Sequence, residues 1–160
     1  MAIDRARAYL SQFDLQDDIL EFEVSSATVE LAAQAAGVIP ARIAKSLSFM
    51  LPDGAILVVA AGDAKVDNAK FKAQFHTKAK MLGHDEVAEA IGHAVGGVCP
   101  FGVNEGVRTY LDVSLRRFET VYPACGSANS AIELAPERLA EVAQNCRGWV
   151  DVCKLAGPAL

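Results

Sequence analysis

The stretch Gly96-Gly97-Val98-Cys99-Pro100-Phe101-Gly102 fits neither a helix nor a strand, because it holds three glycines and a proline in seven residues. Glycine reaches φ > 0 at little cost and leaves its N–H uncovered. Proline fixes a bend and removes a donor. Such a loop can bring bare amides to a carbonyl or phosphate oxygen, and equally can be a tight structural turn. What surrounds it decides between the two. Just upstream, His84 to Ile91 has helical spacing, with Val87, Ala88 and Ile91 inward and Asp85, Glu86 and Glu89 outward. Just downstream, Thr109 to Val113 reads as a strand, Thr120 to Pro123 as a shorter one, and Cys125-Gly126-Ser127-Ala128-Asn129-Ser130 as a second loop of small residues.

Farther out, the N-terminal half supplies the sheet. Residues 2–13 predict an amphipathic helix through Ile3, Ala6, Leu10 and Phe13. Ile19 to Val24 alternates as a half-buried strand, with Leu20, Phe22 and Val24 on one face. Thr28 is placed to cap a helix over 29–36, which Gly37 ends ahead of Pro40. Residues 43–51 predict a strand, Pro52-Asp53-Gly54 a turn, and the continuous apolar run Ile56 to Ala61 a central strand, so the pair forms a hairpin. A helix over 67–75 and a short strand over 80–82 follow. Ala131 to Leu134 predicts a strand, Pro136 opens a helix reaching about 145, and Trp149 to Cys153 is a last strand or tail. Strands and helices mix without βαβ alternation. The expectation is an α+β fold, a single domain over residues 1–160, with a mixed, mainly antiparallel sheet or open barrel and flanking helices.

Composition excludes several classes of function. Of 160 residues 52 % are hydrophobic and 22 % charged, ordinary values for a globular chain. No apolar run approaches the ~20 residues that span a bilayer, and the N-terminus shows no secretory h-region. Cys99, Cys125, Cys146 and Cys153 form no C-x-x-C pair and make no zinc pattern with His76, His84 and His93. Reduced thiols fit a cytoplasmic protein. The net charge of −5 speaks against a coat of phosphate contacts. Residues 63–80 nevertheless carry Lys65, Lys70, Lys72, Lys78 and Lys80 against Asp63 and Asp67. That run is either a solvated face or a small footprint for a nucleic-acid backbone.

Lys45 is out of place on the strand face it shares with Ile43, Leu47 and Phe49. It must snorkel, pair, or line a cavity, where it would be a fixed positive charge or a tuned base. Cys99 would need a neighbouring base to act as a nucleophile, and His84 and His93 read more simply as structural. Asp112, before Ser114, is placed to tie down a turn.

Taken in order, Ala44-Lys45-Ser46-Leu47, Ile56–Ala61 with Gly62-Asp63, the Gly96–Gly102 loop, Tyr110-Leu111-Asp112, and Ala124-Cys125-Gly126 leading to Ile132-Glu133-Leu134 resemble the YbaK/EbsC family. Those are aminoacyl-tRNA deacylases related to the insertion editing domain of bacterial prolyl-tRNA synthetase. The resemblance spans about residues 20–145. It implies a trans-editing hydrolase that removes a wrong amino acid from the 3′ end of tRNA, with tRNA(Pro)-type substrates. Editing is needed because one methylene discriminates by only ~1–3 kcal/mol. It implies catalytic roles for Lys45, Gly96 and Gly97. It implies substrate contacts from Phe22, Ser46, Cys99, Pro100, Phe101, Gly102, Gly126, Ser127 and Asn129, with tRNA-backbone contacts from Lys70, Lys72, Lys78 and Lys80. No cofactor or metal is implied; water, a substrate thiol or a ribose hydroxyl attacks, depending on subfamily. The implied partners are aminoacyl-tRNA and a synthetase, not DNA or a membrane, with the chain a monomer or homodimer. The chain departs from two branches: Ala131 falls where the Cys-tRNA(Pro) deacylases carry aspartate, and Ser127–Ser130 holds an asparagine without the histidine of alanine-specific domains. The alternative is a non-catalytic module binding an aminoacyl-adenylate-like ligand, a tRNA end or a synthetase.

Overall fold

The computed structural model describes residues 2–155. In chain order its elements are α1 (Ala2–Leu10), β1 (Leu20–Glu21), α2 (Val29–Ala36), β2 (Ile43–Leu51), β3 (Gly54–Ala61), β4 (Ala64–Val66), α3 (Asn68–Phe75) and α4 (His84–Ile91). Then come β5 (Arg108–Asp112), β6 (Tyr122–Pro123), β7 (Ser130–Ala131), α5 (Pro136–Val142), β8 (Cys146–Val150) and β9 (Cys153–Leu155), with short 3-10 turns between. A five-stranded sheet runs β6-β2-β3-β5-β8, and β1-β7 and β4-β9 form two small outer sheets.

The β2–β3 hairpin is the spine. Its register runs from Leu51↔Gly54 to Ala44↔Ala61. Gly54 takes φ +128 at the turn, a value that only glycine adopts readily. Ile56 to Ala61 are each fully buried, as a strand flanked on both sides must be. Phe49, Phe71, Phe75 and Tyr110 form a chain of ring contacts 4.7–4.9 Å apart that docks α3 on the sheet. Burying a phenylalanine of this kind contributes ~1.5–3 kcal/mol.

Local chemistry sets the helix ends. Thr28 Oγ1 accepts from Leu31 N–H at 3.2 Å, and Gly37 closes α2 at φ +73. Asp67 accepts from the Ala69 and Lys70 amides at 3.0 and 3.1 Å to start α3. Asp112 is buried and accepts from Ser114 N–H and Val152 N–H, both at 2.9 Å. It ties down the turn after β5, as its position suggests, and so ends that strand one residue short of Val113.

The mixed sheet with flanking helices matches the sequence. Antiparallel pairing is concentrated in the hairpin and the outer sheets, whereas β2–β6, β3–β5 and β5–β8 are parallel. Periodicity does not report strand direction. The half-buried strand over 19–24 shrinks to Leu20–Glu21, with Leu20 and Val24 exposed. Its partner β7 is two residues long, and beyond it the segment is held by loop backbone through Phe22 N–H to Asn129 O. The tail resolves into two strands, and β9 pairs with β4, which no period-2 signal marked.

Candidate functional site

One pocket of about 360 Å³ opens where the start of β2, the segment ahead of α2 and the glycine loop meet. Small residues make the meeting possible. Gly96 takes φ +97, and a Cβ there would lie 3.3 Å from Ala27 Cβ and 3.6 Å from Ala128 Cβ. A Cβ on Gly97 would lie 2.6 Å from the Gly126 carbonyl carbon and 2.7 Å from Ser127 N. The two small-residue loops therefore touch backbone to backbone. The Ser26 amide in turn donates to Ala128 O, which brings the segment ahead of α2 to the same place.

Lys45, Ser46 and Gly96 all line this pocket. The Lys45 ammonium donates to Gly62 O at 3.3 Å and to Ala64 O. An ammonium has three donors, so one remains. Burial pushes its pKa below the ordinary lysine value, against the pull of Cys153 and Asp63. Asp63 is itself held by a two-pronged contact from Arg117 at 2.6 and 3.0 Å. That contact keeps its carboxyl below the usual range and leaves Lys45 as the charged side chain next to the cavity. Among the described residues no carboxylate lines the pocket, and many of its wall residues are small or aliphatic, with Ala32, Ala44 and Ala131 among them.

Several expected contacts lie elsewhere. Gly97 does not line the pocket, and its N–H is spent on Ala94 O at 3.0 Å. Cys99 and Phe101 are fully buried in the core and Pro100 is buried beside them, so none of the three faces the cavity. The Cys99 thiol lies 3.5 Å from His93 Nε2, but burial pushes its pKa up to about 12, which removes it as a nucleophile at neutral pH. Gly102 is structural: it takes φ +72, and a Cβ would come within 2.6 Å of Arg5 O. Phe22, Gly126, Ser127 and Asn129 also stand outside the lining. The Asn129 amide donates to Phe22 O at 3.1 Å, and Ser127 Oγ bonds Ser130 Oγ at 2.6 Å. These four brace the second loop, which reaches the pocket through Ala124, Ser130 and Ala131 instead.

Ser26, Thr28, Ser48 and His84 also line the pocket. Ser48 was detectable as the residue two beyond Ser46 on one strand face. His84 reads only as the first residue of a helix, and Ser26 lies in a loop with no pattern. Of the lysines, Lys70 Nζ is engaged by Asp151 at 3.1 Å and Cys153 O at 3.0 Å. Lys72 and Lys78 are exposed and flank a second depression of about 400 Å³ with Asn68, Ala69 and Ala79; Lys80 is exposed outside it. Among the described residues no group of three His, Cys, Asp or Glu side chains could hold a metal, and no helix is long and apolar enough to cross a membrane.

Residues 23–142 match the model of the aminoacyl-tRNA editing domain. The chain belongs to that family. The editing domain is 54 % identical over 155 residues to the uncharacterized protein YwhH of Bacillus subtilis, covering 96 % of this chain and 98 % of that one. It is 32 % identical over 90 residues to the proline–tRNA ligase of Thermotoga neapolitana, 56 % of this chain but 15 % of the ligase. A crystal structure of a candidate trans-editing enzyme for prolyl-tRNA synthetase superposes on it with a TM-score of 0.85 at 27 % identity, covering 96 % and 97 % of the two chains.

Proposed function

We propose that this editing domain hydrolyses the ester joining a wrong amino acid to the 3′ end of tRNA, acting in trans on tRNA(Pro)-type substrates in the cytoplasm. The observation that carries the proposal is that Lys45 and Gly96, far apart in the chain, line one cavity in an aminoacyl-tRNA editing domain. The likeness to proline–tRNA ligases and to the candidate trans-editing enzyme supports the choice of tRNA. In this mechanism water adds to the acyl carbon, gives up one proton to solvent, and the carbonyl becomes an oxyanion. The acyl C–O bond then breaks, the ribose oxygen takes a proton, and the amino acid leaves as a carboxylate. The remaining Lys45 N–H stabilises the negative charge as it develops, and the glycine loop shapes the wall against which the ester lies. Lys72, Lys78 and Lys80 meet backbone phosphates of the acceptor stem.

The test is a panel of tRNAs carrying labelled wrong amino acids, followed as acid-precipitable label. Turnover of at least one supports the proposal. Retention on a filter without turnover of any supports the binding-module alternative instead. Lys45→Ala is expected to lower the deacylation rate about 100-fold or more, the scale of losing one oxyanion donor, while the melting transition is retained. An unchanged rate would remove Lys45 from the mechanism.

A further inference from the structure

Two hydroxyls in the pocket wall have nothing to bond. Ser26 Oγ and Ser46 Oγ are closed off from solvent and meet no hydrogen-bond partner, although both residues line the cavity. Ser26 is only 7 % exposed. Buried hydroxyls are nearly always paired, so an orphan at a cavity points to a partner that arrives with a ligand. Both positions are rigidly built: Ser26 is fixed by its backbone bond to the second loop, and Ser46 pairs with Val59 inside the hairpin. Two other hydroxyls around the cavity are engaged. Thr28 caps α2, and Ser130 bonds Ser127. The neighbouring alanines offer no bond.

We infer that Ser26 and Ser46 determine the specificity of the pocket by reading a hydroxyl on the side chain of the acyl group, so that seryl and threonyl esters are preferred to alanyl. The inference rests on the proposed deacylase function. A serine hydroxyl both donates and accepts, and it turns about χ1 without moving the backbone. A hydroxylated acyl group can therefore donate to one serine and accept from the other. A methyl group leaves both unpaired. Sites built to bond a hydroxyl reject the analogue lacking it far more strongly than apolar sites sort by size.

The test compares kcat/KM for seryl- and alanyl-tRNA(Pro) in the parent, Ser26→Ala, Ser46→Ala and the double variant. The parent is expected to prefer the seryl ester at least tenfold, and the double variant to lose most of that preference; Ser46→Thr, which keeps a hydroxyl, should retain it. A second measurement does not depend on turnover: binding of 3′-amino-3′-deoxyadenosine amide-linked to L-serine or to L-alanine. The serine amide should bind the parent at least tenfold more tightly, with the difference gone in the double variant. Equal affinities, or a seryl-to-alanyl ratio that both substitutions leave intact, would overturn the inference. Discrimination between the amides without hydrolysis of any ester would sustain it and sink the deacylase instead. If the variants do not fold, the parent's own preference in either assay decides.

Discussion

His93 is 1 % exposed, with Nε2 2.6 Å from Phe101 O and Nδ1 without a partner. A carbonyl only accepts, so Nε2 carries the proton and the ring is held neutral. Burial pulls its pKa below the ordinary value of 6.5, against the Phe101 carbonyl and with the help of Arg5. As pH falls through about 6.5 the unfolded chain takes up a proton that the folded chain resists, so stability declines on the acid side and is regained above it. The steepest slope one group can give is about 1.4 kcal/mol per pH unit. We expect the melting temperature to fall between pH 7.5 and 5.5, and His93→Gln, which keeps an N–H for Phe101 O, to flatten that fall. A variant that melts with the parent's full pH dependence would place the titration elsewhere. The same burial explains why Cys99, next to this ring, is inert: what surrounds the thiol is core, not solvent.

At the scale of elements, the contact between the two small-residue loops is the joint of the site. Gly97→Ala puts a methyl against Gly126 and Ser127 backbone, which no rotamer change relieves. We expect a cost of about 1–3 kcal/mol and at least a tenfold loss of deacylation, measured by thermal unfolding and by turnover. Gly106→Ala is the comparison. It has φ +91 but open space around its Cβ, so it should cost about 1 kcal/mol through backbone strain and leave turnover alone. If both variants lose activity equally, the loop contact is not special. Helix ends were legible from Thr28 and Gly37 because caps act within three residues. The hairpin was legible because Ile56–Ala61 is apolar on both faces. Lys45 announced itself as a charge among aliphatic neighbours. The division of Gly96–Gly102 was not legible: Gly96 faces the cavity while Cys99 to Gly102 face α1 and the core. Composition marks a bend and says nothing about which side of it meets a ligand. Ser26 and β4 were missed for a related reason, since their partners lie far away in the sequence.

For the molecule as a whole, the proposed tRNA interface has two ends, the Lys45 pocket and the exposed lysines by the second depression. The chain is net negative, and its exposed lysines Lys72 and Lys78 stand on the α3 side of the sheet, by the second depression. Each phosphate neutralised on duplex contributes about −0.9 to the slope of log K against log[salt]. Two or three contacts predict a slope of about −2 to −3. Changing Lys72, Lys78 and Lys80 to Gln should weaken tRNA binding and flatten that slope. Hydrolysis of a minimal aminoacyl ester, which reaches only the Lys45 pocket, should continue. Filter binding at several salt concentrations reads the first, and release of the amino acid reads the second. An unchanged slope would show that tRNA approaches over another face. Lys70 belongs outside this set because Asp151 already engages it.

The order of strands in the sheet has a bearing on how the chain is made. β5 lies between β3 and β8, yet β8 is translated more than thirty residues after it, and the buried Asp112 waits for the amide of Val152. While the ribosome is still adding that stretch, β5 is a bare edge with a solvated carboxylate at its end. A bare edge is a template for any other strand that comes near. Synthesis thus opens an interval in which the nascent protein is sticky along one specific side, and it closes only when Cys146–Val150 has emerged to cover it.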